Sequence, residues 1–252
     1  MRIILSPAKK MRVVTDHAAP LTRPMYLDTA KQVMAWMKSK DDDTLQALWG
    51  VSDKIAALNV DRLKVMDLDH PQTPAILAYE GIAYQYMAPA VFEDGHFAYV
   101  QEHLRVLSGF YGVVRPMDAV TPYRLEMHSK AEIDGAKNLY DFWGDRIYRG
   151  VRDESGVIIN LASREYAKAV EPYLTDEDTY ITCIFGELAG GKVVQKGVYA
   201  KMARGDMVRF MAENAIEDPE DIKRYNRMNY RYSEEHSKPD RFVFVRDPRG
   251  AK

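Results

Sequence analysis

The sequence predicts an α+β (mixed α/β) fold: a single compact domain over residues 1–252, with a central mixed sheet and surrounding helices. Three observations carry this. Short runs of strand character are interspersed with longer segments of helical spacing along the whole chain. No repeat, low-complexity tract or long flexible linker divides it. The 252 residues are 46 % hydrophobic and 29 % charged, an ordinary globular balance that can bury a sizeable core without staples.

Arg2 to Leu5 reads as a short buried strand, ended by Ser6-Pro7 because proline lacks the donor a central strand needs. Tyr26 to Lys38 places Leu27, Ala30, Val33, Met34 and Met37 at helical spacing. Asp43 is the expected N-cap of a second helix running toward Leu48, and the pattern resumes with Ile55, Ala56, Leu58 and Leu63. A loop rich in Asp, His and Pro covers 67–74, followed by a brief apolar run from Ala75 to Tyr79. Phe97 to Leu107 and Asn138 to Arg149 each read as one helix. Gly156 to Asn160 is a strand entering a polar turn, with Ser163 as the expected cap of a helix continuing through Val170. Thr179 to Leu188 is a strand, Gly190-Gly191 a tight turn, and Lys192 to Val194 the return. Val198 to Ala215 is a long helix, and Arg241 to Val245 the closing strand.

Thirty-five basic residues stand against 37 acidic ones, so total charge does not mark an obligate nucleic-acid binder. Distribution matters more. From Gly190 to Phe210, Lys192, Lys196, Lys201, Arg204 and Arg209 face a single acid, Asp206, and Lys223, Arg224, Arg227 and Arg231 follow. A basic face and an ordinary solvated surface are both compatible with this. The one cysteine, Cys183, excludes an internal disulfide framework, suits a reducing compartment, and reads as a buried small hydrophobe. No run approaches the ~18 apolar residues needed to cross a membrane. The N-terminal segment lacks the long apolar stretch of a signal peptide, so the expected location is cytoplasmic, with no membrane partner.

The segment Leu48-Trp49-Gly50-Val51-Ser52-Asp53-Lys54-Ile55-Ala56 joins two helices through a few residues centred on Gly50, Val51 and Ser52. It looks like a helix-hairpin-helix at about 44–64. Small residues let a backbone approach a phosphate, and free amides at the second helix's start bind that anion. Lys54 would add a charge-assisted contact of the kind that positions a protein on a duplex without reading sequence. Ser52 stands where the pattern has glycine, and Asp53 is an acid close to the phosphate position. A plain helical hairpin with Ser52 as N-cap is the alternative.

A second constellation follows the strand ends. Ser6 and Lys9 come just after the first strand, where polar residues of α/β proteins line crevices. Ser6 offers a hydrogen bond; Lys9 offers a phosphate contact or, if desolvated, a nucleophile or base. Tyr123, Arg124 and Glu126 lie in a Gly-, Pro- and aromatic-rich stretch, and Asn160 and Ser163 repeat the strand-to-polar-turn design. Lys201 and Arg204, three apart, share one helical face available to a phosphate backbone. Polar turns and unliganded surface charges would use the same residues.

Zinc-ligand spacing, an EF-hand loop, GxxxxGK[ST], GxGxxG after a strand and GxSxG are all absent, and the six histidines are scattered. No metal and no cofactor is expected.

Seven stretches in chain order resemble the YaaA family, associated with hydrogen peroxide stress. They are Ile4 to Lys9, Val51 to Ala56, Leu104 to Gly112, Pro122 to Met127, Leu139 to Gly144, Ile159 to Ser163 and Ala200 to Gly205. The resemblance therefore covers nearly the whole chain. It departs at Tyr79-Glu80-Gly81, where the family commonly has Lys before the Gly. The resemblance implies a DNA-binding protein that limits intracellular iron and oxidative DNA damage, with a helix-hairpin-helix in a mixed fold with a basic cleft. Double-stranded, structured or single-stranded DNA is then the expected partner; no protein partner is implied. On this reading Lys54 and the amides of Gly50, Val51, Ser52 and Asp53 contact DNA first, with Lys9, Lys201 and Arg204 as walls of the cleft. The alternative is an enzyme acting on a nucleobase or nucleotide, glycosidase- or lyase-like. Its pocket would be built from Ser6, Lys9, Tyr123, Arg124, Glu126, Asn160 and Ser163, with Lys9 as nucleophile or Glu126 as general acid or base.

Overall fold

The runs Ile3-Ile4-Leu5, Val106-Leu107 and Ile158-Ile159 are apolar without alternation and fully buried, the signature of parallel strands covered on both faces. The computed structural model, which describes residues 1–71 and 73–247, places these runs side by side. In chain order the strands are β1 (Arg2–Leu5), β2 (Lys10–Met11), β3 (Thr73–Pro74), β4 (Tyr79–Glu80), β5 (Leu104–Ser108), β6 (Gly112–Val114) and β7 (Ala119–Val120). They continue as β8 (Val157–Asn160), β9 (Thr179–Ala189), β10 (Lys192–Val194), β11 (Tyr230–Tyr232) and β12 (Arg241–Arg246). The main sheet runs β11-β12-β9-β8-β1-β5-β6, with β10 returning against β9. From β12 to β5 all pairings are parallel, while β11, β6 and β10 add antiparallel partners. Two small ladders, β2–β4 and β3–β7, lie outside it.

The α-helices are α1 (Leu27–Lys38), α2 (Asp42–Trp49), α3 (Asp53–Lys64), α4 (Ala75–Ala78), α5 (Ile82–Met87) and α6 (Asp94–His103). After them come α7 (Leu139–Trp143), α8 (Arg146–Val151), α9 (Arg164–Ala167) and α10 (Gly197–Glu213). Among the described residues, no helix is long and apolar enough to cross a membrane.

Several boundaries differ from the sequence expectations, each for a physical reason. Asp41, not Asp43, caps α2: its carboxylate accepts the Thr44 amide at 2.7 Å. The expected helix from Phe97 to Leu107 stops at His103, whose Nδ1 meets the Met1 carbonyl at 2.9 Å. Leu104 to Val106 then pair with Ile3 to Leu5, because sheet burial outweighs local helical spacing in a short apolar run. The expected helix from Asn138 to Arg149 breaks at Gly144, which adopts φ 52, a conformation glycine enters without steric cost. The helix after Ser163 ends at Ala167 rather than Val170, and Ser163 makes no side-chain cap bond. Strands β6 and β11 were not expected from the sequence pattern; both are three-residue edges of the sheet.

Topology places a crevice. From β1 the chain continues to β5 on one side, whereas from β8 it continues to β9 on the other. Strands β1 and β8 are parallel neighbours whose exits diverge, and the gap beyond their carboxyl ends is where open α/β sheets hold ligands.

Candidate functional site

Ser6 and Ser163 close that crevice from its two strands. The Ser163 amide donates to Ser6 Oγ at 2.8 Å, and Ser6 Oγ donates to Ser163 Oγ at 3.2 Å. Tyr84 of α5 donates to the Ser6 carbonyl at 3.1 Å, fixing the turn. Above it opens a cavity of about 380 Å³, within the range of small-ligand sites.

The wall opposite comes from the extended segment after β7. Glu126 accepts Lys9 Nζ on Oε2 at 2.6 Å and lies 2.8 Å from Arg124 through Oε1. Arg124 also donates to the Lys9 carbonyl at 3.2 Å, so one buried carboxylate ties two cations and the loop after β1 together. Tyr123 is spoken for structurally. Its hydroxyl lies 2.7 Å from Ser108 Oγ and 3.0 Å from the Tyr79 hydroxyl, and burial pushes its pKa up to about 12.

The third wall is α10, which carries Lys201 and Arg204 into the same cavity. Its close approach depends on Gly205, where any Cβ would overlap the Ala83 backbone of α5. A Cβ at Gly81 would likewise press on Ala8, so the loop after β1 also needs a glycine neighbour. Glu80 pairs with Lys10 at 2.9 Å.

The fold therefore gathers Ser6, Lys9, Tyr123, Arg124, Glu126, Ser163, Lys201 and Arg204 around one cavity. Asn160 is not in its lining. It is buried at the end of β8, where its Oδ1 accepts the Ala162 amide at 2.8 Å and holds the turn. Gly50, Val51, Ser52, Asp53 and Lys54 lie outside the cavity, at the tip of the α2–α3 hairpin. Gly50 takes the left-handed conformation at φ 58 and ends α2; Ser52 sits extended at the N-cap of α3 without a side-chain cap bond. Asp53 accepts Gln46 Nε2 at 2.8 Å, and Lys54 is exposed. Arg62, two turns further along α3, donates to the Met11 carbonyl at 3.2 Å, which anchors the hairpin beside the cavity's β2–β4 flank.

Sequence reasoning missed His128 and Glu165. His128 Nδ1 lies 2.7 Å from Glu165, and Nε2 lies 3.9 Å from Glu126. One donor atom from each of Glu126, His128 and Glu165 falls within 4.8 Å of the others, the group among the described residues that could hold a metal ion. The spacing Glu126-x-His128, which the structure places in a turn closed by the Ser129 amide on the Glu126 carbonyl at 3.0 Å, was the available signal; Glu165, on α9, could join it only through the fold. Much of the basic stretch is neutralised. Lys196 pairs with Glu187 at 2.6 Å, Arg209 with Glu213 at 2.6 Å, and Lys223 with Glu220 at 2.6 Å. Cys183 is fully buried, and desolvation pushes its thiol up to about 12.

The model of the family described as peroxide stress protein YaaA matches residues 1–236. A UPF0246 protein of Agathobacter rectalis is 59 % identical over 246 residues, covering 98 % of this chain and 99 % of that relative. UPF0246 proteins of Desulfitobacterium hafniense and Pediococcus pentosaceus are 52 % identical over 246 residues and 48 % identical over 247, each alignment covering 98 % of both chains. The chain belongs to the peroxide stress protein YaaA family.

Proposed function

We propose that this protein binds DNA in the cytoplasm through the tip of the α2–α3 hairpin, and that it protects DNA and limits intracellular iron during hydrogen peroxide stress. The observation that carries the reading is the form of the tip. Gly50 turns left-handed, Ser52 is extended with an uncommitted side chain, and Lys54 stands exposed in the first turn of α3. The first amides of a helix have no intrahelical acceptor and suit an anion. Asp53, the one adverse charge, is engaged by Gln46. Contacts of this kind track phosphates, so affinity for duplexes should be sequence-independent and salt-sensitive. Raising salt four-fold should weaken binding on the order of ten-fold or more if several phosphates are neutralised. Binding that does not respond to salt would contradict the reading. For the iron component, a strain lacking the gene should hold more loosely bound iron under peroxide; unchanged iron would remove that component.

One contact favours a second reading, an enzyme acting on a nucleobase or nucleotide. Lys9 Nζ lies 2.6 Å from Glu126 in the lining of a cavity, an amine beside a carboxylate as nucleophilic and acid–base chemistry needs. Borohydride trapping of a Lys9 adduct on abasic or modified DNA tests it. Absence of any adduct or base release across a substrate panel would sink it.

A further inference from the structure

Arg204 is mostly buried in the cavity wall, yet no carboxylate pairs with it among the described residues, and its Nε has no hydrogen-bond partner. Burial draws its pKa down, the direction expected of a cation without an anion. Lys201, one turn earlier on α10, also has no acidic partner among the described residues. The other charges around the cavity each have a partner of opposite or complementary character: Lys9 and Arg124 share Glu126, Lys10 holds Glu80, and Glu165 meets His128. Among the described residues, the charged side chains lining the cavity are five basic (Lys9, Lys10, Arg124, Lys201, Arg204) and three acidic (Glu80, Glu126, Glu165). The surplus is two, and the two lining cations without an acidic partner among the described residues are the α10 pair. An unpaired, largely desolvated cation is costly, and an external anion offsets that cost.

The rest of the wall says what the anion is attached to. Tyr84, Tyr123 and Tyr166 line the same cavity as the two cations, so part of its wall is aromatic. Aromatic side chains present faces and edges to a flat heterocycle. Two unpaired positive charges match a phosphomonoester, which carries about −1.5 to −2 near neutral pH, better than the single charge of a backbone phosphodiester. We propose that the cavity binds a nucleoside monophosphate unit, its phosphate on Lys201 and Arg204 and its base against the tyrosines. The unit is either a free mononucleotide or the 5′-phosphorylated end of a strand. This site is separate from the hairpin tip and stands whether or not the hairpin binds DNA.

The test is isothermal titration of the full-length protein with AMP and dTMP, with the matching nucleosides as phosphate-free probes. A short oligonucleotide compared with and without its 5′-phosphate separates the two sources. Binding of the monophosphates but not the nucleosides is expected, weakened about ten-fold or more in Lys201→Ala, as for loss of one hydrogen bond to a charged group. Lys201 is exposed, so this variant reports on binding without disturbing the core; Arg204→Gln, checked for folding by circular dichroism, should lose at least as much. Binding confined to the 5′-phosphorylated oligonucleotide, with the same loss in Lys201→Ala, supports the strand-end source. Two results would overturn the proposal: no phosphate-dependent binding by either probe, or binding that Lys201→Ala leaves unchanged.

Discussion

Gly205 of α10 lies directly against the backbone of Ala83 in α5, with no room for a methyl group between them. The obstruction is backbone, which cannot rotate away as a flexible side chain can. This contact sets the depth at which Lys201 and Arg204 reach the cavity. Gly205→Ala should therefore destabilise the fold by about 1–3 kcal/mol or more, despite alanine's better helix propensity. Denaturant unfolding measures this, and a variant as stable as the parent would show that the helices do not pack this closely.

Glu126 is the single carboxylate between Lys9 and Arg124. Glu126→Gln keeps the shape and removes the charge, leaving the Arg124 side chain, 13 % exposed, without its acid. Lys9 is two-thirds exposed and contributes little of the loss. The expected destabilisation is about 1–3 kcal/mol, read from the denaturant midpoint. An unchanged midpoint would mean that the Arg124–Glu126 contact is not maintained in solution.

Membership of a peroxide stress family invites the idea of thiol sensing. Cys183 argues against it: buried between β8 and β12 in the sheet, its thiol is pushed up to about 12 and stays protonated near neutral pH. Ellman's reagent should label the native protein slowly and the unfolded protein at once. Rapid labelling or rapid sulfenic acid formation in the native state would reverse this conclusion.

Glu187 is held below the ordinary glutamate range by its hydrogen bond from Lys196, aided by Arg246 at 3.0 Å. A carboxyl with a lowered folded pKa contributes its stability fully above the unfolded value of about 4.3 and loses it as pH falls through the folded value. The melting temperature should therefore hold from neutral pH to about 5 and fall below about 4, less steeply in Glu187→Gln. A variant that reproduces the parent's acid profile would remove Glu187 from the account.

How much of this the sequence disclosed depends on how local each signal was. The strand Arg2–Leu5 and its Ser6-Pro7 stop were legible because burial on both faces writes an unbroken apolar run. The long helix α10 was legible from its periodicity. Of the Phe97–Leu107 segment, Phe97 to His103 is helical as expected, whereas Leu104 to Leu107 was misread, because so short a stretch suits either state until Ile3–Leu5 is known to lie beside it. The same limit applies to the site. Ser6, Lys9, Arg124, Glu126 and Ser163 could be named one segment at a time, since each follows a strand or a turn with reactive side chains. Their convergence with Lys201 and Arg204, the exclusion of Asn160, and the arrival of Glu165 at His128 are products of topology.

Docking of the α2–α3 hairpin tip on DNA is the proposal on which the function rests. Its most direct measurement is fluorescence anisotropy of short labelled duplexes of several sequences, with the parent protein and Lys54→Ala at two salt concentrations. Salt-sensitive binding is expected, weakened by Lys54→Ala to a similar degree on every sequence, with the salt slope reduced by about one. Equal affinity and slope for the two proteins, or no binding at low salt, would contradict it.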